Sequence, residues 1–385
     1  MALRARLDPA AWTLVALVAW LLWPVPLVAP VSQDHTVHLT RAYLVGQQLA
    51  HGHVSGWSSA WYFGVPIGEL YPVLGDLGVA TLHAIGLGAL DWHHAYAVTF
   101  ALAVLASGHA LVATSRVVGW GTAPGLVAAT AWLLDPGAPR EGGFAFTVEF
   151  GVWLQPLSSS WATLGLACLW RAQRDAPLDA RALARGGLWL AAALLTHPAA
   201  MPMLAVAATT MLLAGSPRRT RMALVLGCGG ALGLGLAAWW LLPLLAARDA
   251  MANFGTLHVS ITQLVRALVA GRFAANMPAA LGYAALGGMV ALALRRDRFG
   301  IALASGSLAL WLLSASESMT VLRLDRLASG FGALQYQRLS IAAKPGIMLC
   351  AGWAAVALAR AARARWHTGA AAPARAVALA STATL

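Results

Sequence analysis

Charge is what this sequence has least of. Asp, Glu, Lys and Arg make up only 10% of its 385 residues, against roughly 25% in an ordinary soluble domain. Hydrophobic residues make up 59%, and the mean hydropathy is +0.69. A soluble chain of this size could not bury that much apolar surface, so lipid must be its solvent, and the expected fold class is an all-α polytopic membrane protein. Lysine is nearly missing: of 26 basic residues one, Lys344, is not arginine. The formal charge of +12 would suit nucleic acid, but no RNA- or DNA-binding motif is present, and arginines in a polytopic protein mark cytoplasmic loops. No nucleic-acid partner is expected. The three cysteines, Cys168, Cys228 and Cys350, have no metal-ligand spacing and read as small apolar packing residues. No internal repeat is visible, so the signature of an inverted-repeat transporter is lacking.

What is present is a regular alternation of apolar runs and arginine clusters. The clusters are Arg4/Arg6, Arg116, Arg171/Arg174/Arg181/Arg185, Arg218/Arg219/Arg221, Arg295/Arg296/Arg298 and Arg360/Arg363/Arg365. If all are cytoplasmic, the spans between them come in pairs. Ten spans satisfy this: about 11–31, 93–115, 120–136, 156–171, 184–197, 198–215, 222–246, 279–294, 299–315 and 339–360. Both termini are then cytoplasmic, and 11–31 reads as an uncleaved first span rather than a signal peptide. The external segments are 32–92, 137–155, the Thr196–Pro198 turn, 247–278 and 316–338. The apolar run 71–90 contains Asp76 and reads as an interfacial or partly inserted helix. Residues 1–360 form one domain, and 361–385, rich in Ala and Arg, is expected to be a disordered cytoplasmic tail.

The first external segment carries most of the chemistry. Ser32 can cap a helix and Gly52 can end it. On that helix Asp34, His38 and Arg41 fall at i, i+4 and i+7 and share a face, a carboxylate, an imidazole and a guanidinium together. This suits a base beside an anion site; a capping aspartate with two solvated neighbours is the plainer alternative. Asp34, His35, His38, His51 and His53 supply enough ligands for zinc, but His35 and His38 straddle the face and the other two histidines lie at the far end. No metal site is assigned.

The pattern Asp-x-x-x-His-Leu-x-Arg from Asp34, followed by "WYFGVPIGELYP" from Trp61, resembles the first external loop of GT-C glycosyltransferases. It is most similar to the bacterial membrane family labelled pyruvoyl-tetrahydropterin-synthase-related. "REGGFAFTVEFGVWLQPL" from Arg140 resembles that family's second external segment, and "WWLLPLL" at 239–245 and "LQYQRLS" at 334–340 are similar to later landmarks. The match runs over about residues 10–360. It departs at the late arginine, where Tyr336-Gln337 rather than a proline precedes Arg338, and many relatives continue into further spans or a soluble domain.

The resemblance implies a GT-C-like bundle of about ten transmembrane helices with a long first extracytoplasmic loop containing juxtamembrane helices. It implies transfer of a sugar from a polyprenyl-phosphate-linked donor to an acceptor on the extracytoplasmic face of a bacterial inner membrane. Asp34 inherits the place at the reacting centre, where a carboxylate can take the proton of an attacking hydroxyl. Glu149 inherits the second acidic position, which orients the acceptor or holds a divalent cation. Metal dependence varies across the superfamily, so Mg or Mn is compatible but no cofactor is assigned. Donor and membrane lipids are the expected partners; the acceptor is unspecified.

Independently, nine basic residues, Arg41, Arg140, Arg248, Arg266, Arg272, Arg323, Arg326, Arg338 and Lys344, lie outside the cytoplasmic clusters, where positive-inside logic does not explain them and a lipid phosphate would. Arg41, Arg338 and Lys344 are the candidates for it, with His38, Glu69 and Tyr71 of "GELYP", and His197 beside Pro198, as further substrate-binding residues. Trp57, Trp61 and Tyr62 fit an interfacial belt better than sugar stacking. The rival reading is a transporter, flippase or binding protein for a lipid-linked substrate. It would more naturally place ionisable groups at mid-membrane.

Overall fold

A computed structural model describes residues 8–25, 27, 30–61, 64–174, 177–215, 218–247, 259–326 and 334–367. The Arg4/Arg6 cluster, Tyr62, Arg248 and positions 368–385 of the expected tail lie outside these described residues. The helices are α1 (Pro9–Leu21), α2 (Asp34–Ala50), α3 (Leu74–Ile85), α4 (Trp92–Val117), α5 (Thr122–Leu134), α6 (Leu154–Ala172) and α7 (Ala180–Thr196). They continue as α8 (Ala200–Thr210), α9 (Arg219–Ala246), α10 (Ile261–Val269), α11 (Ala279–Leu294), α12 (Arg298–Leu313), α13 (Ser318–Val321) and α14 (Arg338–His367). Two π-turns stand at Ala145–Glu149 and Met211–Gly215. The all-α expectation needs one correction: β1 (Gly56–Ser58) and β2 (Val65–Ile67) pair antiparallel, Trp57 opposite Pro66, as a small hairpin in the first external segment.

Helices occupy all ten apolar runs, but their lengths differ from the expected spans. Three helices, α4, α9 and α14, are long and apolar enough to cross a bilayer alone. Most of the others have 10–17 residues, at 1.5 Å per residue shorter than a bilayer core of about 30 Å. α14 runs to His367, into the expected tail, and it is the hub, packing against α5, α6, α11 and α12. Small residues permit these approaches. A Cβ on Gly352 of α14 would strike the Pro124 carbonyl of α5, and one on Gly186 of α7 would strike Leu169 of α6.

The loops sort into two groups by their contacts. At one end, Arg116 at the end of α4 grips Asp8, the N-cap of α1, through two hydrogen bonds of 2.6 and 2.9 Å. There too Trp120 donates to Asp297, the N-cap of α12. At the other end, segments expected to be external bond to one another. The Asp34 amide donates to the Phe150 carbonyl, the Ala275 amide to Glu141, the Asn276 amide group to the Gly137 carbonyl, and the Ile261 amide to Glu317. Each of these contacts joins segments expected on the same side of the membrane.

Candidate functional site

α2 is seated by the second external segment. The expected Ser32 cap is not made: Gln33, at φ 42°, holds the cap position without a side-chain bond. The Ser32 hydroxyl instead donates to the Glu149 carbonyl, and the Asp34 amide to the Phe150 carbonyl at 2.9 Å. The end at Gly52 is as expected, with φ +79°. His35 is fully buried, and both ring nitrogens are used: one lies 2.7 Å from the Val148 carbonyl, which can only accept, so the other accepts from the Tyr96 hydroxyl at 2.7 Å. Trp153 donates to the same hydroxyl at 3.0 Å. His35 is thus a structural staple. Gly151, at φ +81°, is the contact point; a Cβ there would stand 2.5 Å from the His35 amide nitrogen.

The seated helix turns Asp34, Val37, His38 and Arg41 toward a cavity of about 300 Å³. Its other walls are Trp61 and residues 65–68 of the hairpin, Leu70, Tyr71, Val152 and Arg338. The fold thus joins α2 to the first turn of α14, from the far end of the chain. Asp34 is half-buried in the first turn of α2, where the helix dipole favours a negative charge, and it makes no ion pair among the described residues. His38 is buried against Trp153 and Tyr71, and its Nδ1 has no partner. Burial, with the Arg41 charge nearby, pushes its pKa down to about 3, so the ring is neutral.

The two cavity arginines are held in opposite ways. Arg41 bonds Asp76 of α3 at 2.6 Å, with 11% and 1% of the side chains exposed. It also donates to the Pro72 carbonyl at 3.1 Å and lies 4.0 Å from the Tyr71 ring centroid. Burial pushes Asp76 up to about 6 despite Arg41, and burial pushes Tyr71 up to about 12. Among the described residues Arg338 is held by amides: Nη1 donates to Gln155 Oε1 at 2.8 Å, Nε donates to Gln335, and the Arg338 carbonyl accepts from Gln155 Nε2 at 2.8 Å.

Of the residues expected at the site, Asp34, His38, Arg41, Tyr71 and Arg338 line this cavity. Glu69 stands between the wall residues Gly68 and Leu70 without lining it. His197 is buried behind Tyr71, rings 5.7 Å apart, accepting from the Ala199 amide. The Glu149 side chain is exposed at the end of the π-turn, tied to Ser32 only through its backbone. Lys344 lies elsewhere: its ammonium bonds Asp135 at 2.6 Å, both side chains 1% exposed. Lys344, expected with Arg41 and Arg338 at a lipid phosphate, does not line the cavity, because Asp135 at the end of α5 takes its charge. Trp61, expected in a lipid belt, is on the cavity wall. Sequence reasoning missed Asp76, read only as a reason against a membrane span, and Gln155, the unnamed position inside "LQPL". Among the described residues no group of three or more His, Cys, Asp or Glu side chains is placed to hold a metal.

No protein-family model matches the chain, and no curated protein matches it significantly. Solved structures do. The chain is similar to ArnT from Cupriavidus metallidurans in the apo state, at 14% identity and TM-score 0.55, over 89% of this chain and 59% of ArnT. ArnT bound to undecaprenyl phosphate gives TM-score 0.54. It is similar as well to the archaeal oligosaccharyltransferase AglB from Archaeoglobus fulgidus, in complex with an inhibitory peptide and a dolichol-phosphate, at 10% identity and TM-score 0.57, over 97% of this chain and 54% of AglB. The chain thus spans between half and three fifths of the length of these proteins. At such identities the fold is what is shared with these proteins. With its apolar helices, the chain is an integral membrane protein.

Proposed function

We propose that the chain is a GT-C-type glycosyltransferase that moves a sugar from a polyprenyl-phosphate-linked donor to an acceptor on the extracytoplasmic face of a bacterial inner membrane. The observation that carries this reading is the cavity joining the Asp34 carboxylate, which has no ion pair among the described residues, to the Arg338 guanidinium. Asp34 is the general base, accepting the acceptor hydroxyl's proton as that oxygen attacks the anomeric carbon. Arg338 meets the phosphate that leaves with the carrier. His38, neutral and with a free ring nitrogen, and Tyr71 orient the sugar. Arg41, already neutralised by Asp76, shapes the wall. Undecaprenyl phosphate in ArnT and dolichol-phosphate in AglB support a lipid-phosphate partner. In this reading ten spans leave both termini cytoplasmic and the cavity outside. Glu149, exposed beside the seat of α2, meets the acceptor in this reading, or a divalent cation such as Mg or Mn that also takes phosphate oxygens. Lys344 is not part of this site.

The test is Asp34→Asn, which keeps size and removes the base. The purified variant, offered a polyprenyl-phosphate sugar and a panel of acceptors, should elute and melt like wild type. Its turnover should fall by about 10²- to 10⁴-fold. Near-full transfer by the variant refutes the assignment.

A further inference from the structure

We propose that Gln155 is a positioning residue that holds Arg338 at the cavity wall while leaving its charge uncompensated for an anionic substrate. The inference rests on the reading of the cavity as a lipid-phosphate site. Gln155 is fully buried in the first turn of α6, on a helix that otherwise buries apolar and small hydroxyl side chains. Its carboxamide is used at both ends on one residue: the oxygen accepts from the Arg338 guanidinium, and the nitrogen donates to the Arg338 carbonyl, each at 2.8 Å. One amide thus fixes both the side chain and the backbone at the start of α14. Only a neutral group with an acceptor and a donor can do this; a carboxylate would accept from the guanidinium but could not donate to the carbonyl.

Charge is the second consequence. Arg41 lines the same cavity, but Asp76 cancels it at 2.6 Å. Arg338 has only amide partners, Gln155 and Gln335, and no ion pair among the described residues. A guanidinium fixed by neutral acceptors keeps its full charge for an incoming phosphate, in a half-buried setting where charge-assisted bonds are strong. The arrangement therefore splits the labour of the two arginines: one is structural and neutralised, the other is presented.

The experiment measures binding of polyprenyl phosphate to the full-length protein in detergent, across pH 5 to 8. Gln155→Glu is isosteric. Ionised, it cancels Arg338 and repels phosphate, and affinity should fall by about 10- to 150-fold, the worth of a charge-assisted contact. Protonated, its C=O and O–H reproduce the acceptor and donor of the amide. The ratio of variant to wild-type affinity should therefore recover toward one as pH falls. Across this range His38 and Tyr71 stay neutral, while Asp76, raised to about 6 beside Arg41, and the phosphate itself change charge; these groups, with Asp34 and His197, are common to both proteins, so their effects cancel in the ratio. Gln155→Met, apolar and similar in size, should weaken binding at every pH without that recovery, which a merely structural role would not separate from the Glu variant. Wild-type affinity in both variants, or a pH-independent ratio for Gln155→Glu, overturns the positioning role. Absence of any binding by the wild type overturns the lipid-phosphate reading, and this inference with it.

Discussion

Removing the charge of Lys344 should destabilise the protein. Read from sequence, Lys344 either contacts the donor phosphate or snorkels to the headgroups, and Lys344→Met then weakens binding or is tolerated. The fold dictates a different outcome. Lys344 Nζ lies 2.6 Å from Asp135 Oδ2, both side chains 1% exposed. The other Asp135 oxygen accepts from the Gly137 amide at 3.2 Å. Lys344→Met therefore strands a buried carboxylate with one hydrogen bond. Breaking a buried pair from one side typically costs about 3–5 kcal/mol, because the partner remains as an uncompensated charge. The expected result is a loss of that size in equilibrium unfolding in mixed detergent–SDS micelles. Asp135→Asn with Lys344→Met removes both charges and keeps an acceptor for Gly137, so the double variant should recover most of the loss. The coupling between the two sites should then be of the same order as the single-variant cost. Wild-type stability in Lys344→Met would show that the pair does not join α5 to α14. Unchanged stability with weakened donor binding would return Lys344 to the substrate.

Two further predictions follow from the seating of α2 and its partner α3. Gly151→Ala adds a left-handed backbone cost of about 1–2 kcal/mol to a Cβ placed 2.5 Å from the His35 amide nitrogen. It should lower the melting temperature and, by shifting Asp34, the transfer rate; a variant with wild-type values would remove this contact as the seat of the helix. Asp76, raised to about 6 by burial, keeps its proton in the folded state at pH values where the unfolded carboxyl, near 3.9, has lost it. Its contribution to stability is therefore largest below about pH 4, declines as pH rises through about 6, and is constant above. Stability of wild type relative to Asp76→Asn should follow that course between pH 4 and 7, and a difference independent of pH would contradict it.

The sequence alone determined what the solvent is and how the chain is cut into helices. The apolar excess admits only a membrane bundle, and helices stand where the apolar runs between the arginine clusters lie. Both properties are local: hydropathy and charge act on each segment wherever its neighbours lie. The i, i+4, i+7 spacing likewise sufficed to put Asp34, His38 and Arg41 on one face, since helix geometry fixes that before any packing occurs. What only the tertiary structure decided is which charges cancel. Arg41 and Lys344 looked as available to a phosphate as Arg338 does, because a sequence does not say that Asp76 and Asp135 will be brought within 2.6 Å of them. Nor does it say that Arg338 will meet a glutamine instead. The work of a buried charge depends on its nearest opposite charge in space, and the packing of α3 on α2, α5 on α14 and α6 on α14 chooses that neighbour.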